Sequence, residues 1–202
     1  MSFETVKKFE DAIADFYGAP YAVATDCCTH AIELCLRYTK PEHPLMIPNR
    51  TYISIPFTLE KLGLNWDFHT LPWSKYYSIL DTNIIDAAVF WEEGGYEPNT
   101  FMCLSFQHQK HLSLGRGGMI LTDNKEAAEE LKKMSYDGRT PDKPWREQNI
   151  SSRGYHYYMT PETAQRGLQA LEEAKQREPR AWQWEDWPDL QEMSVFKDYN
   201  EA

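Results

Sequence analysis

Four points in the chain combine residue types with positions that suit chemistry on a small ligand. The apolar run Tyr21–Thr25 reads as a buried strand and ends in Asp26-Cys27-Cys28-Thr29 before a helical stretch. Backbone N–H groups and the helix dipole at such a junction favour an anion such as phosphate. Any strand–turn–helix junction has this property, so alone it is a weak sign. Asp86 lies inside the apolar run from Ile84 to Phe90, where a carboxylate is costly unless paired. It either caps a neighbouring turn or faces a cationic ligand. Lys110 follows the run Met102-Cys103-Leu104-Ser105-Phe106 and precedes the turn Gly115-Arg116-Gly117-Gly118. A lone lysine is ordinarily a surface residue. One that is partly buried near other cations loses its proton more readily and becomes a nucleophile for aldehydes. Tyr52, just past Leu45-Met46-Ile47, is placed to lie flat on a planar ring.

Together these positions specify one ligand. A phosphate goes to a helix N-terminus, a carboxylate meets a ring nitrogen, a lysine forms a Schiff base and an aromatic ring stacks. Pyridoxal 5′-phosphate (PLP) needs that set, because the protein's part is to orient the cofactor and tune its electronics. An aspartate against the pyridine nitrogen keeps it protonated and keeps the ring an electron sink. A metal is the weaker reading. Cys27, Cys28 and His30 offer suitable atoms without the spacing of known sites, and no Cys-x-x-Cys occurs.

The elements that must position these residues follow from periodicity. Phe3, Val6, Phe9, Ile13 and Phe16 recur at helical spacing, and Gly18 reads as the stop. Helices are also predicted over 30–38, over 51–62 with Pro56 forcing a late start or a kink, over 124–135 and over 160–178. The last opens on Thr160-Pro161-Glu162, with proline at the first helical position. Strands are predicted over 21–25, 45–47, 64–68, 84–90, 102–106 and 118–122, and residues 137–153 read as a loop. Strands alternating with helices predict an α/β fold with a mainly parallel central sheet flanked by helices, and ligands in such sheets sit at strand C-termini.

Composition sets limits. With 31 acidic against 21 basic residues the net charge is −10, and no Lys/Arg cluster offers a face for nucleic acid. No apolar run reaches the ~18–20 residues of a membrane helix, and the acidic amphipathic start is not a secretory signal. Four cysteines make no disulfide framework in a chain of 202 residues, which predicts a reduced, cytoplasmic setting. After Pro179 the chain becomes acidic and irregular, with Trp182, Trp184 and Trp187. Two domains are therefore expected, an α/β body over 1–178 and a Trp-rich tail over 179–202. The tryptophans either dock on the body or contact a partner.

The sequence resembles the DegT/DnrJ/EryC1/StrS family of sugar aminotransferases, PLP enzymes with the type I aspartate-aminotransferase fold. The most specific stretch is SFQHQKHLSLGRGGMILTDN, similar to the family's SF-x-x-x-K-x-x-x-x-G-E-G-G-x-x-x-T. The resemblance implies Lys110 as the Schiff-base lysine and Ser105 as a hydroxyl contact to the phosphate. IIDAA resembles the family's E-D-A-A and places Asp86 on the pyridine nitrogen. YAVATDCCTHAIELCLR resembles YAVAVSSGTAALHLALR and puts Cys28 and Thr29 in the phosphate cup. IPNRTYIS resembles VPAYTFVA and gives Tyr52 the stacking place. GYHYYMTPETAQRGLQALE resembles GYNYRMTEIQAALGLAQLE, so His156 takes the place of an asparagine that reaches the phosphate of the neighbouring subunit. The implied assembly is a homodimer with shared active sites, an amino-acid donor and a keto-sugar nucleotide acceptor.

The departures are as specific. The resemblance implies a reduced large domain: a shortened member without the family's C-terminal domain, and without a strand and helix between Phe68 and Ile84. Cys28 stands for a glycine, Val89 for a Gln or His near the ring hydroxyl, Arg116 for a Glu and Tyr158 for an Arg. Cofactor anchors survive better than substrate contacts. The expected function is a PLP-dependent aminotransferase; the alternative is a non-catalytic PLP-binding or regulatory homologue.

Overall fold

A computed structural model describes residues 2–197, so the end of the expected tail, 198–202, lies outside the described residues. The first apolar stripe folds as helix α1 (Phe3–Tyr17), which buries Val6, Phe9, Ile13 and Phe16. It stops at Gly18 with φ 73°, a left-handed conformation that costs glycine little. Strand β1 (Tyr21–Thr25) leads into α2 (Cys28–Thr39), which begins two residues before the predicted start. Then come β2 (Leu45–Pro48), α3 (Ser54–Lys61) and β3 (Trp66–His69). Pro56 sits in the first turn of α3, where its missing N–H is no loss. Next are β4 (Tyr77–Ser78), β5 (Ile84–Asp86), β6 (Phe101–Ser105) and β7 (Gly118–Thr122). Helices α4 (Lys125–Ser135) and α5 (Pro161–Gln176) open on the side-chain caps Asn124 and Thr160. A short α6 (Ser194–Lys197) closes the described chain. The predicted strand over 84–90 is shorter than expected, and β4 has no predicted counterpart.

The sheet is mixed rather than mainly parallel. Its order is β1-β7-β6-β5-β4, and only β5–β6 is a parallel pair. The chain reverses through the tight turn 79–83 between β4 and β5, and through the helix-free loop 106–117 between β6 and β7. Both connections place the next strand antiparallel. The parallel pair β2–β3 joins this sheet beyond β4 through an antiparallel bridge, Met46 to Leu80. Strands β1, β2, β5 and β6 therefore point the same way, and their C-terminal ends, Thr25, Pro48, Asp86 and Ser105, share one edge.

Period-two alternation builds a core on each face of the sheet. Met102, Leu104, Met119 and Leu121 join the cluster of α1 and α5 residues, while Phe101, Cys103 and Ile120 join that of α2 and α4. The chain after α5 runs back across the shared edge. Gln183 bridges to Ser74, Arg50 donates to the Trp187 carbonyl at 2.7 Å, and Asn49 donates to Asp189 at 2.7 Å. Phe196 is fully buried against Phe57, Trp66 and Phe68.

Candidate active site

Asp86 ends β5 and Lys110 lies in the loop that leaves β6, so the shared edge brings them together. Both line one small cavity with Tyr52, Thr51, Tyr77 and Val89. Asp86 is 6% exposed. Its carboxylate accepts from the Tyr77 hydroxyl at 2.7 Å and from the Ala88 amide at 3.0 Å. Thr51 meets the same Tyr77 hydroxyl at 2.5 Å. No ion pair reaches Asp86 among the described residues. Burial pushes its carboxyl above the usual range, against the pull of those hydrogen bonds and of Lys110.

Lys110 is half-buried. Burial lowers its pKa, against the charge of Asp86. Its Nζ makes no hydrogen bond among the described residues and lies 5.6 Å from the ring centroid of Trp182. Ser105 and Lys110 share a second small cavity with Val89, Trp91 and Trp182. Tyr52 is 61% exposed at the mouth of the first.

The candidate anion-binding end is the start of α2, where no side chain caps the first turn. Cys28 takes an ordinary helical conformation, absent from the residues with positive φ, so the loss of a glycine brings no strain. Its thiol turns inward to the Cys103 carbonyl, which leaves its backbone amide as the group that can meet a ligand. The Thr29 hydroxyl bonds to Ser54 at 2.7 Å. His156 lies apart. It pairs with Asp137 at 3.0 Å, its side chain is 70% exposed, and it lines neither cavity.

Several site residues escaped the sequence reading. Tyr77 and Thr51 form the hydrogen-bonded chain behind Asp86, and Trp73 lines the same cavity; Trp182 and Trp187, for which docking on the body was one of the two expectations, line the two cavities from the returning chain. The only available signal was the Tyr76-Tyr77 pair in a segment without periodicity. The donor set fits PLP in kind: an amine shifted toward neutrality, a buried carboxylate without a cation, and an uncapped helix start. The cavity beside Asp86 and Lys110 has about 20 Å³, room for about one water and less than a pyridine ring fills.

The sequence matches the DegT/DnrJ/EryC1/StrS aminotransferase family over residues 1–66 and 94–184. The unmatched segment between them carries β4, Tyr77 and Asp86. No curated protein matches the chain. Among solved structures, AtS13 from Actinomadura melliaura shares 22% identity with a TM-score of 0.76, over 87% of this chain and 61% of that one. The sugar aminotransferase CalS13 from Micromonospora echinospora shares 13% with a TM-score of 0.69, over 85% and 61%. PseC of Helicobacter pylori, an aminotransferase involved in the biosynthesis of pseudoaminic acid, shares 16% with a TM-score of 0.67, over 85% and 58%. These likenesses are of fold, and the chain spans about three fifths of the length of the structures it matches.

Proposed function

The chain belongs to the DegT/DnrJ/EryC1/StrS aminotransferase family, and from that premise we propose that it is a PLP-dependent aminotransferase. It moves an amino group from an amino acid to a keto-sugar nucleotide. The observation that carries this reading is the pairing of Asp86 with Lys110 around one cavity: a buried carboxylate without an ion pair, beside a lysine shifted toward neutrality. PLP, when bound, supplies an aldehyde and an electron-withdrawing ring.

The chain's own residues supply the rest. Asp86 offers its charge to a protonated ring nitrogen, the cation its burial otherwise lacks. Tyr52 covers a ring face. The first turn of α2, with Thr29 and Ser105, receives the phosphate. Lys110 supplies the amine, and once neutral its Nζ accepts the α-proton of the donor amino acid. In a homodimer, His156 of the partner subunit completes the phosphate contacts. The surroundings of Val89, Arg116 and Tyr158 set the acceptor. Among the described residues no helix is long and apolar enough to cross a membrane.

The small size of the cavity between Asp86, Lys110 and Trp187 favours a second reading, a PLP-binding homologue without turnover. An absorbance spectrum with added PLP, borohydride reduction and peptide mapping test the cofactor, with Lys110→Ala beside the wild type. A pyridoxyl adduct confined to Lys110 is expected, and its absence overturns the assignment. Conversion to the pyridoxamine form by glutamate or glutamine separates the aminotransferase from the silent homologue.

A further inference from the structure

At the junction of β1 and α2 a second group of reactive side chains converges. Ligand atoms of Asp26, Cys27 and His30 all lie within 4.8 Å of one another. Asp26 holds His30 Nδ1 at 2.6 Å and accepts from Arg116 at 2.7 Å. The Cys27 sulfur lies within that 4.8 Å span of the imidazole. The imidazole cannot swing away, because it stacks on Tyr157 at 3.6 Å between centroids with the rings 10° apart. Cys27 itself is held by β7: a Cβ on Gly118 would lie 2.4 Å from its backbone carbon.

The charges decide what this group takes. Burial pulls the His30 pKa down, but the hydrogen bond to Asp26 and the neighbouring charge outweigh it and raise it to about 9. At neutral pH the cluster therefore holds two cations, His30 and Arg116, against one carboxylate. A metal ion would have to displace both a proton and a guanidinium. His30 and Arg116 offer a proton and a positive charge to a leaving oxygen, and the sulfur of Cys27 lies beside the imidazole. Cys27 is partly exposed, while Cys28, Cys35 and Cys103 are buried. A nucleophile beside an imidazole that a carboxylate orients is the arrangement that activates thiols.

We propose that Cys27, beside the His30–Asp26–Arg116 group, is a reactive thiol and a site of oxidation by hydroperoxides. The Cys27 thiolate attacks one peroxide oxygen, an S–O bond forms and the O–O bond breaks. The leaving oxygen takes the His30 proton and departs as water, or as an alcohol from an alkyl hydroperoxide. The sulfur loses two electrons to the peroxide and ends as a sulfenic acid. The proposal stands apart from the cofactor reading, since no step or test requires PLP.

The test treats the full chain without PLP with hydrogen peroxide at pH 7, traps sulfenic acid with dimedone and maps it by mass spectrometry. Because exposure alone would single out Cys27, the deciding readouts are rates. With the His30 proton beside it for the leaving oxygen, Cys27 should react about tenfold faster than N-acetylcysteine. The rate should fall several-fold in His30→Gln and Arg116→Gln and be largely kept in Arg116→Lys. The Arg116 side chain is 67% exposed, and circular dichroism checks that each variant folds. A Cys27 rate equal to that of N-acetylcysteine, or one that neither neutral substitution changes, overturns the proposal.

Discussion

The ring of Trp182 lies over the ammonium of Lys110, with 5.6 Å between Nζ and the ring centroid, although the two are far apart in sequence. Trp187 approaches the neighbouring cavity, fastened through its carbonyl to Arg50. The chain after α5 thus lies against the cavities that Asp86 and Lys110 line. If this segment limits access, Trp187→Ala and Arg50→Ala should speed the appearance of the borohydride-reduced adduct on Lys110 several-fold at fixed PLP. Rates equal to that of the wild type would show that the ligand reaches Lys110 by another route.

Asp86 makes a pH-dependent prediction for the ligand-free protein. Its folded pKa is raised by burial, so the native state holds its proton more firmly than the unfolded chain does. That contribution to stability is fully present below the unfolded value near 3.8 and is lost as pH rises through the folded value. Asp86→Asn keeps the shape without the buried charge. Its urea midpoint should exceed that of the wild type at pH 7, and the gap should shrink toward pH 4. A variant weaker than the wild type at pH 7 would mean that the hydrogen bonds from Tyr77 and Ala88 already compensate the buried charge.

His30 behaves in the opposite window. Its folded pKa, about 9, stands above the ordinary 6.5, so its contribution is present below 6.5 and disappears as pH rises through about 9. The stability difference between wild type and His30→Gln should therefore narrow between pH 6.5 and 9. The imidazole resonance of His30 should titrate well above those of exposed histidines in an NMR pH series. A midpoint near 6.5 would dissolve the ion pair with Asp26.

Gly167 of α5 meets the ring of Phe9 on α1, and an added Cβ would lie 2.5 Å from it. Phe9 is fully buried and has no room to retreat. Alanine ordinarily favours a helix over glycine by about 1 kcal/mol, yet here overpacking of roughly 1–3 kcal/mol should dominate. Gly167→Ala should lower the thermal midpoint. A higher midpoint would place the α1–α5 contact further apart than described.

Much of the local architecture was legible because it rests on short-range rules. The stripe of Phe9, Ile13 and Phe16, the stop at Gly18, the caps at Asn124 and Thr160 and the late start of α3 at Pro56 each follow from steric or hydrogen-bonding demands within a few residues. Strand direction was not legible. Alternation of strands with helices suggested parallel neighbours, whereas β4 and β7 reverse because no helix carries the chain back before them. Tyr77 was missed for the same reason, since β4 has no hydrophobic period of its own and exists by pairing with β5.

The sequence by itself determined the chemical inventory: Lys110 before a glycine turn, Asp86 in an apolar run, Tyr52 after a strand, and Cys28 with Thr29 at a helix start. The tertiary structure decided which of these meet and under what conditions. It set Lys110 and Asp86 around one cavity, turned the Cys28 thiol into the core, left His156 outside, joined Asp26, Cys27, His30 and Arg116, and laid Trp182 over Lys110. Residue type and spacing report short-range sterics and periodicity. Contacts across tens of residues depend on strand order and on the path of the returning chain, and these settle only when both faces of the sheet are buried together.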